Sequence, residues 1–199
     1  GVVPSLVLAR GGLRPLVLER GPGLGEGGKA VGHCEKAGEL NLNANIQCGG
    51  GGAGTFSDGK LTTRVGDPLC AFVTDAFLQH GAPADIAWRQ KPHVGTDLLR
   101  GIIRSIRQEI IALGGEVRFN TALTGLKIEN GALASVETTA GDFACEQLIL
   151  AVGHSARDTF AMLHGSGLPL ECQPFSVGFR AEHLPTQIDQ GLYHAAPGT

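Results

Sequence analysis

Residues 45–64 bring together the side chains of this sequence that are best suited to chemistry. The segment reads NIQCGGGGAGTFSDGKLTTR, so a run of glycines leads directly into hydroxyl, aromatic, acidic and basic side chains. Neither a core strand nor a core helix favours that mixture, and a long loop without regular structure is usually functional. The alternative is a flexible linker, although a linker would continue in glycine and serine rather than in TFSDGKL. We therefore take this segment as the first candidate for a functional site.

A second candidate is Glu19, which follows a short apolar stretch. Residues 5–21 read SLVLARGGLRPLVLERG, which predicts the end of an apolar helix, a stop at Gly11 and Gly12, and a buried strand over 15–18. A helix followed by such a strand is typical of α/β proteins with a parallel sheet. In a Rossmann-type sheet, an acid at the end of the second strand accepts hydrogen bonds from the ribose hydroxyls of a dinucleotide. The alternative is an acid that merely ends a strand.

The elements that must position these candidates are predicted from periodicity. The glycine-rich residues 21–60 show none, which predicts loops with only short pieces of structure. Residues 68–90 predict one or two short helices around a Gly-Ala-Pro break. The clearest helix starts with Thr96 as a predicted N-cap and ends at the glycines 114–115. Its apolar residues recur at helical spacing and are predicted to pack on a sheet: Leu99, Ile102, Ile106, Ile110 and Leu113.

Three short strands are predicted after this helix, over residues 116–119, 123–128 and 132–138. The pair Asn130-Gly131 is typical of a type I′ turn between the last two strands, because both positions tolerate a positive φ. These residues predict a small antiparallel meander.

The stretch QLILAVGHSARD predicts one more strand and a helix. The strand ends in Ala151-Val152-Gly153, and Ser155 is the predicted cap of a helix that runs to about His164. After it, PFSVGFRAEH alternates like a strand that opens another domain.

The order of these elements predicts an α/β fold with a parallel sheet and a small antiparallel meander. We expect one domain over residues 1–170 and the start of a second over 171–199. The chain opens without methionine and stops just after a helical stretch, so we expect both ends to continue in a longer protein.

Composition argues against several classes of partner. The 199-residue chain is 42% hydrophobic and 18% charged, and its formal net charge of −3 gives no basic field for nucleic acid or anionic lipid. No apolar run reaches the roughly 20 residues of a membrane helix, and the first residues lack the basic region of a signal peptide. The five cysteines form no C-x-x-C pair, which indicates reduced thiols rather than disulfides or a metal site. We therefore expect a cytoplasmic protein with no nucleic-acid, membrane or metal ligand, and its oligomeric state is unknown.

Five motifs together resemble a family of bacterial FAD-dependent dehydrogenases, within the superfamily of flavoproteins that have two dinucleotide-binding domains. The motifs are LVLERG, GGGGAGTFSDGKLTTR, KPHVGTDLLR, LGGEVRFNT and LILAVGHSARDTF. They occur in the family's order over nearly the whole chain, and GGAGTFSDGKL with KPHVGTD is far more specific than a glycine fingerprint. The resemblance implies a Rossmann-like FAD-binding domain from the N-terminal part of an oxidoreductase. It also implies a small-molecule substrate or a reduced nicotinamide, NAD(P)H, as electron donor.

The same resemblance implies which residues contact FAD. Backbone approaches a pyrophosphate or a flavin ring closely where side chains are small, and successive N–H groups can form an anion-binding nest. A strand ending in A-x-G is implied to pass under the nucleotide, although an ordinary strand-to-helix turn is the alternative. The strand near Leu123 is implied to contact adenine. The full implied set is Glu19, Arg20, Gly50, Gly51, Gly52, Ala53, Gly54, Thr55, Ser57, Asp58, Leu123, Ala151 and Gly153.

The start of the sequence departs from the family pattern. The family begins with a strand and a G-x-G-x-x-G turn that places the pyrophosphate at a helix N-terminus, whereas this sequence opens GVVPSLVLAR. We therefore expect the first strand to be missing from the sheet, either because the chain is a fragment or because its gene is truncated or divergent. The strands that end at Glu19 and Ala151 would then border an open slot, and the chain alone would be marginally stable and bind little FAD.

Catalytic residues are less well defined. Lys60, Lys91, His93 and His154 lie in the motif regions, and a lysine or histidine near a flavin can steer protons or hydride. Packing or turn positions are the alternative for each histidine, so Lys60 and His93 are only candidates for catalysis. Two other functions stay open: a module in which the bound dinucleotide is structural, and a remnant without catalysis.

Overall fold

The structure is a computed structural model that describes residues 1–56, 59–61, 63, 65–89, 94–175, 177–179 and 181–194. The chain divides into two compact units, Gly1–Leu168 and Pro169–Thr199. In the described part of the chain, no helix combines the length and the apolar character needed to cross a membrane.

The first unit contains helices and short strands. Its helices are α1 Val2–Arg10, α2 Leu24–Ala37, α3 Cys70–Gln79, α4 Thr96–Ala112 and α5 Arg157–Gly165, with 3-10 turns at Ala53–Phe56 and Ala84–Ala87. Its strands are β1 Leu16–Leu18, β2 Glu116–Arg118, β3 Leu123–Glu129, β4 Ala132–Thr138 and β5 Phe143–Ala144. In the second unit, α6 Pro185–Ile188 runs into a π-helical turn at Asp189–Tyr193.

The strands form two separate sheets, one parallel and one antiparallel. β1 pairs in parallel with β2, with Leu16 opposite Glu116, and β3, β4 and β5 form an antiparallel meander. Asn130 and Gly131 have φ angles of 51° and 79°, which fit the predicted type I′ turn between β3 and β4. The mixed α/β class is therefore confirmed. An antiparallel meander is present, but the strand predicted over residues 116–119 does not belong to it: this strand pairs with β1, and Phe143–Ala144 is the third strand of the meander.

The core of the first unit lies along α4. Four of its predicted apolar residues are buried together with Ile103, and they pack against Leu6 and Ala9 of α1 and against Ala76 and Phe77 of α3. Leu113, predicted as a fifth core residue, is 44% exposed because the helix ends at Ala112 and Leu113 only caps it. The prediction that Thr96 is the N-cap was wrong, because Thr96 is the first helical residue. The N-cap is Gly95, whose φ of 81° favours glycine.

The prediction of loops over residues 21–60 was wrong for α2. Each of its glycines costs about 1 kcal/mol relative to alanine in a helix, but tertiary contacts offset that cost. Val31 is buried, and Gly27 lies against the Phe56 ring, whose nearest atom would be 4.0 Å from an added Cβ. Gly38 then ends the helix in a left-handed conformation, the usual glycine C-cap.

Two predicted strands are absent from the described residues. Residues 147–153 have no regular secondary structure, and Ile149 is 58% exposed, because a strand needs a hydrogen-bonded neighbour and none pairs with it here. The PFSVGFRAEH strand is also missing, and Phe179 is fully exposed. The helix after residue 153 does form, but Ala156 rather than Ser155 occupies its N-cap position.

A polar network that the sequence did not predict ties α1, α3 and α4 together. Arg10 donates from Nε and Nη2 to the two carboxylate oxygens of Glu109, at 2.7 and 2.9 Å, and also from Nη2 to Gln79 Oε1 at 2.8 Å. His80 Nε2 lies 2.8 Å from Glu109 Oε2, while His80 Nδ1 lies 2.8 Å from Ser105 Oγ. The hydrogen bond from Arg10, with a smaller effect of His80, lowers the pKa of Glu109.

Replacing Glu109 with glutamine is expected to lower the free energy of unfolding at pH 7 by about 1 kcal/mol. Because the pKa of Glu109 is lower in the folded state, its contribution to stability is fully present above the unfolded pKa and is lost as the pH falls through the folded pKa. The difference in the free energy of unfolding between the wild type and Glu109→Gln should therefore shrink below about pH 4.3. Urea unfolding between pH 3 and 7 measures it, with Glu129→Gln in the exposed Lys127 ion pair as the control that changes little.

Candidate functional site

A cavity of about 570 Å³ in the first unit is the main candidate site. This volume is within the range of small-molecule and cofactor sites. The cavity is lined by the segment of residues 13–20, which contains β1, and by the segment of residues 147–152. Residues of α1 and of β3, β4 and β5 complete its lining. The walls are largely aliphatic, so the polar groups gathered near Glu19 decide what chemistry the cavity can recognise.

Glu19 lies directly after β1, where the predicted ribose-binding acid was expected. Its Oε1 accepts hydrogen bonds from the backbone nitrogens of Gly21 at 2.8 Å and Gly49 at 3.1 Å. The backbone of Glu19 also continues the pairing with β2, since its N–H donates to the Arg118 carbonyl at 2.9 Å. One carboxylate oxygen therefore organises two glycine loops, while Oε2 keeps acceptor capacity on a residue that lines the cavity.

Arg20 connects the end of β1 to the start of α5. Its guanidinium donates to both carboxylate oxygens of Asp158, at 3.0 and 2.5 Å, and this contact lowers the pKa of Asp158. Burial raises the pKa of the neighbouring Cys48 thiol, and the Arg20 charge opposes that change. Cys48 and Arg20 both line the cavity, so its polar end holds a thiol and an ion-paired guanidinium.

The glycine-rich loop needs bare backbone because it packs closely against the rest of the protein. A Cβ added to Gly50 would lie 3.1 Å from the Phe119 ring, and one added to Gly54 would lie 3.3 Å from Leu99. A Cβ on Gly51 would overlap the Thr55 side chain, which is fully buried. Only Gly52 has open space around it, and its φ of 61° is the reason for glycine there.

Arg100 anchors the end of this loop to α4. Its Nε donates to the Thr55 carbonyl at 3.1 Å, and its guanidinium lies 5.1 Å from the centre of the Phe56 ring, within cation–π range. Thr55 Oγ1 in turn donates to the Gly52 carbonyl at 2.9 Å. These contacts fix the loop conformation on the longest helix of the unit.

A smaller cavity of about 30 Å³ is also lined by Glu19, together with residues of α4, β1 and β2. Arg107 and Gly50 contribute to its lining together with Phe119. Arg107 Nη1 is buried there without a hydrogen-bond partner among the described atoms, and its guanidinium stacks 5.2 Å from the Phe119 ring centre. The volume fits one water molecule. Arg107 was not predicted, because no sequence pattern marks a helix position that faces a strand end.

The structure brings some of the predicted residues together and separates others. Glu19, Arg20, Leu123 and Ala151 line the same large cavity, whereas Gly50 lines the small one. Of the remaining loop residues, Thr55 is fully buried, Gly51 and Gly54 lie close to protein side chains and Gly52 faces open space, and the Ala53 backbone is in a 3-10 turn. Lys60 is exposed, as is Gly153, whose φ is 79°. Ser57, Asp58, Lys91 and His93 lie outside the described residues.

The comparisons with known proteins give one strong sequence match. No protein-family model matches the chain. A protein of Clostridium beijerinckii described as uncharacterized is 45% identical over 193 residues, which cover 97% of this chain and 36% of that protein. The chain therefore spans about a third of the length of this relative, whose activity is not described.

Two solved structures are distantly similar to this chain. Glycine oxidase from Bacillus cereus matches with a TM-score of 0.48 and 13% identity, over 83% of this chain and 57% of that chain. L-Amino acid deaminase from Proteus myxofaciens in complex with anthranilate matches with a TM-score of 0.42 and 14% identity, over 85% and 46% of the two chains. At such values the likenesses assign neither an activity nor a ligand to this chain.

Proposed function

We propose that this chain is part of an FAD-dependent oxidoreductase and that its large cavity receives the adenosine half of the cofactor. The observation that carries the proposal is the position of Glu19. It lies at the carboxyl end of a parallel strand and lines the cavity, and one of its oxygens is fixed by two backbone amides. In Rossmann-type sheets a ligand binds outside the carboxyl ends of the strands, where such an acid accepts the ribose hydroxyls. The motif resemblance noted for the sequence supports the same cofactor.

The residues around Glu19 fit such a group. Leu123 and Ala151 offer aliphatic surface of the kind that holds a flat adenine ring, and both line the cavity with Glu19. Arg20 lines it as well, and its guanidinium is held in place by the ion pair with Asp158. The two glycine loops that meet at Glu19 keep the backbone close to this end of the cavity.

When bound, FAD would supply the acceptor for a hydride or an electron pair. The residues of this chain bind and orient the nucleotide half: Glu19 accepts hydrogen bonds from the ribose, and the aliphatic walls exclude water from the base. The electron donor is proposed to be a small-molecule substrate or a reduced nicotinamide nucleotide. Lys60 and His93 stay candidates for proton transfer.

Replacing Glu19 with glutamine tests the proposal directly. Glutamine keeps an acceptor oxygen for the amides of Gly21 and Gly49, but it replaces the second oxygen with a donor that cannot accept a ribose hydroxyl. Hydrogen bonds to charged groups contribute about 1.5 to 3 kcal/mol, so the affinity for FAD should fall by about 10- to 100-fold. Equilibrium dialysis against FAD measures this loss even where binding is weak.

Two controls separate recognition of adenosine from folding. Glu116→Gln changes an exposed glutamate at the opposite end of the same strand pair, and it should leave the FAD affinity unchanged. FMN lacks the adenosine half, so its binding should respond to neither variant. Equal FAD affinity of the wild type and Glu19→Gln would refute the role of Glu19.

The same samples distinguish the two other functions. If FAD binds but no electron donor reduces it, the chain is a module in which the dinucleotide is structural. If FAD does not bind even at millimolar concentration, the chain is a remnant without catalysis.

A further inference from the structure

The small cavity beside Glu19 has two opposite charges in its lining. Glu19 and Arg107 share it with Gly50 and with five apolar side chains, those of Val2, Val17, Ile110, Val117 and Phe119. The Gly50 amide already donates to the Pro22 carbonyl at 3.0 Å, so this donor is in use. Charges that are partly buried among apolar groups are screened much less than exposed ones. The carboxylate and the guanidinium therefore interact more strongly here than they would at the surface.

The fold brings Arg107 to the strand end at which Glu19 lies. Leu18 is opposite Arg118 in the parallel pair, so Glu19 and Phe119 are the next residues at the carboxyl ends of β1 and β2. The Glu19 N–H donates to the Arg118 carbonyl at 2.9 Å, which fixes this arrangement. The Arg107 guanidinium lies 5.2 Å from the centre of the Phe119 ring, within cation–π range. Phe119 therefore holds the guanidinium close to the Glu19 strand end.

One nitrogen of Arg107 is in need of a hydrogen-bond acceptor. Its Nη1 is buried and makes no hydrogen bond with Glu19 or with any other described atom, and an unpaired charged donor in a buried position costs stability. Glu19 Oε1 already accepts from the amides of Gly21 and Gly49, whereas Oε2 has acceptor capacity. The cavity of about 30 Å³ has room for one water molecule. A water that accepts from Nη1 and donates to Oε2 satisfies both residues.

We propose that one water molecule in the small cavity links Arg107 Nη1 to the Glu19 carboxylate, and that Arg107 is thereby a positioning residue for Glu19. An ionised oxygen has two acceptor sites, so Oε2 accepts from this water and still accepts from a second donor. Arg107 lines the small cavity rather than the large one, so it acts on a ligand through Glu19. The effect on a ligand rests on the proposed function, whereas the water link and the orientation of Glu19 do not.

NMR tests the link without any ligand. A long-lived water should transfer magnetisation to the methyl groups of Val117 and Ile110, which line the small cavity and not the large one. Arg107→Met should abolish this transfer, because a cavity that loses its polar donor holds water poorly. The amide resonances of Gly21 and Gly49, which donate to Glu19, should shift as the carboxylate reorients. If the wild type shows no such transfer, or if transfer persists in Arg107→Met, the link does not exist.

The control for this experiment is Arg104→Met. It removes the same charge from an exposed position on the same helix, three residues from Arg107 and away from both cavities. The water transfer and the two glycine amide resonances should stay as in the wild type. Equal shifts of these amides in both variants would mean that the charge of α4, rather than a water held by Arg107, acts on Glu19, and the proposal would be wrong.

FAD affinity then tests the positioning role. Arg107→Met should weaken FAD binding about fivefold, whereas in the Glu19→Gln background it should change binding by less than about twofold, because the two residues act together. Arg107→Lys should retain most of the affinity. Lysine and methionine both lose the stacked guanidinium plane, but only lysine keeps a charged donor for the water. Equilibrium dialysis against FAD measures all variants.

The two experiments separate failure of this proposal from failure of the proposed function. If the water transfer depends on Arg107 but the wild type does not bind FAD, the link between Arg107 and Glu19 stands and the proposed function fails. If FAD binds and Arg107→Met weakens it equally with and without the Glu19 carboxylate, Arg107 does not act through Glu19 and the positioning role is overturned. Equal losses in Arg107→Lys and Arg107→Met would assign the effect to stacking on Phe119, which also contradicts the proposal.

Discussion

Replacing Gly21 with alanine is expected to lower the free energy of unfolding by about 3 kcal/mol and to release the loop around Gly49 from Glu19. An added Cβ would lie 2.6 Å from the Gly49 nitrogen and 2.7 Å from the Asn43 carbonyl oxygen. Both neighbours are backbone atoms, so no rotamer change can relieve the overlap. The loop must move, and the hydrogen bond from the Gly49 amide to Glu19, 3.1 Å long here, is lost with it. Urea denaturation followed by circular dichroism measures the stability change.

Gly23→Ala is the matched control for this prediction. It makes the same chemical change two residues away, where the added Cβ would be 3.9 Å from the Phe119 ring. The backbone of Gly23 is extended, with a φ of −63°, so alanine adopts it without strain. Its free energy of unfolding should fall by no more than about 1 kcal/mol, because alanine is only moderately less favourable than glycine at the N-cap of α2. If the two variants are equally stable, the close approach of the chain at Gly21 does not exist in solution.

The features that the sequence predicted well are those with a local cause. The strand before Glu19 follows from an apolar run after a double glycine, and the hairpin follows from Asn130-Gly131, whose φ angles are both positive. The buried face of α4 follows from its helical periodicity, and Ile102, Ile106 and Ile110 are all nearly inaccessible. In each case the pattern lies within a few residues and does not depend on a distant partner.

The features that the sequence missed depend on contacts between distant residues. Helix α2 contains four glycines, so its intrinsic helix propensity is low. Its Gly27 packs near Phe56, which lies about 30 residues further along the sequence. The strand predicted over residues 147–153 has the right composition, but a strand forms only when a neighbour completes its ladder. The polar network of Arg10 and Glu109 joins residues 99 positions apart, and no local pattern marks either of them.

The glycine-rich loop shows how one pattern can have two physical causes. The sequence indicated a need for bare backbone, and the resemblance attributed that need to FAD. In the structure, Gly50, Gly51 and Gly54 are each required by a protein neighbour, while Gly52 alone faces open space. Contact of this loop with FAD stays a prediction. Glu19 connects the loop to the cavity, because it accepts a hydrogen bond from the loop at Gly49 and also lines the cavity.

Replacing Ile106 with alanine is expected to lower the free energy of unfolding by about 3 to 4 kcal/mol. Ile106 has no exposed surface and lies in the core that joins α1, α3 and α4. The loss combines the transfer free energy of the removed methyl and methylene groups with the cost of the cavity that remains. Since a domain has only about 5 to 15 kcal/mol of stability, the variant should unfold at a much lower urea concentration. Chemical denaturation monitored by circular dichroism measures the shift.

Ile111→Ala gives the same substitution on the same helix at a position that is 51% exposed. It should change the free energy of unfolding by about 0.5 kcal/mol or less, because little packing is lost. A larger effect at Ile111 than at Ile106 would mean that α4 is rotated relative to the core described here. That rotation would also displace Arg100 and Arg107, which hold the Thr55 carbonyl and stack on Phe119. The pair of isoleucine variants therefore tests the helix on which the geometry around Glu19 depends, without changing any residue that lines either cavity.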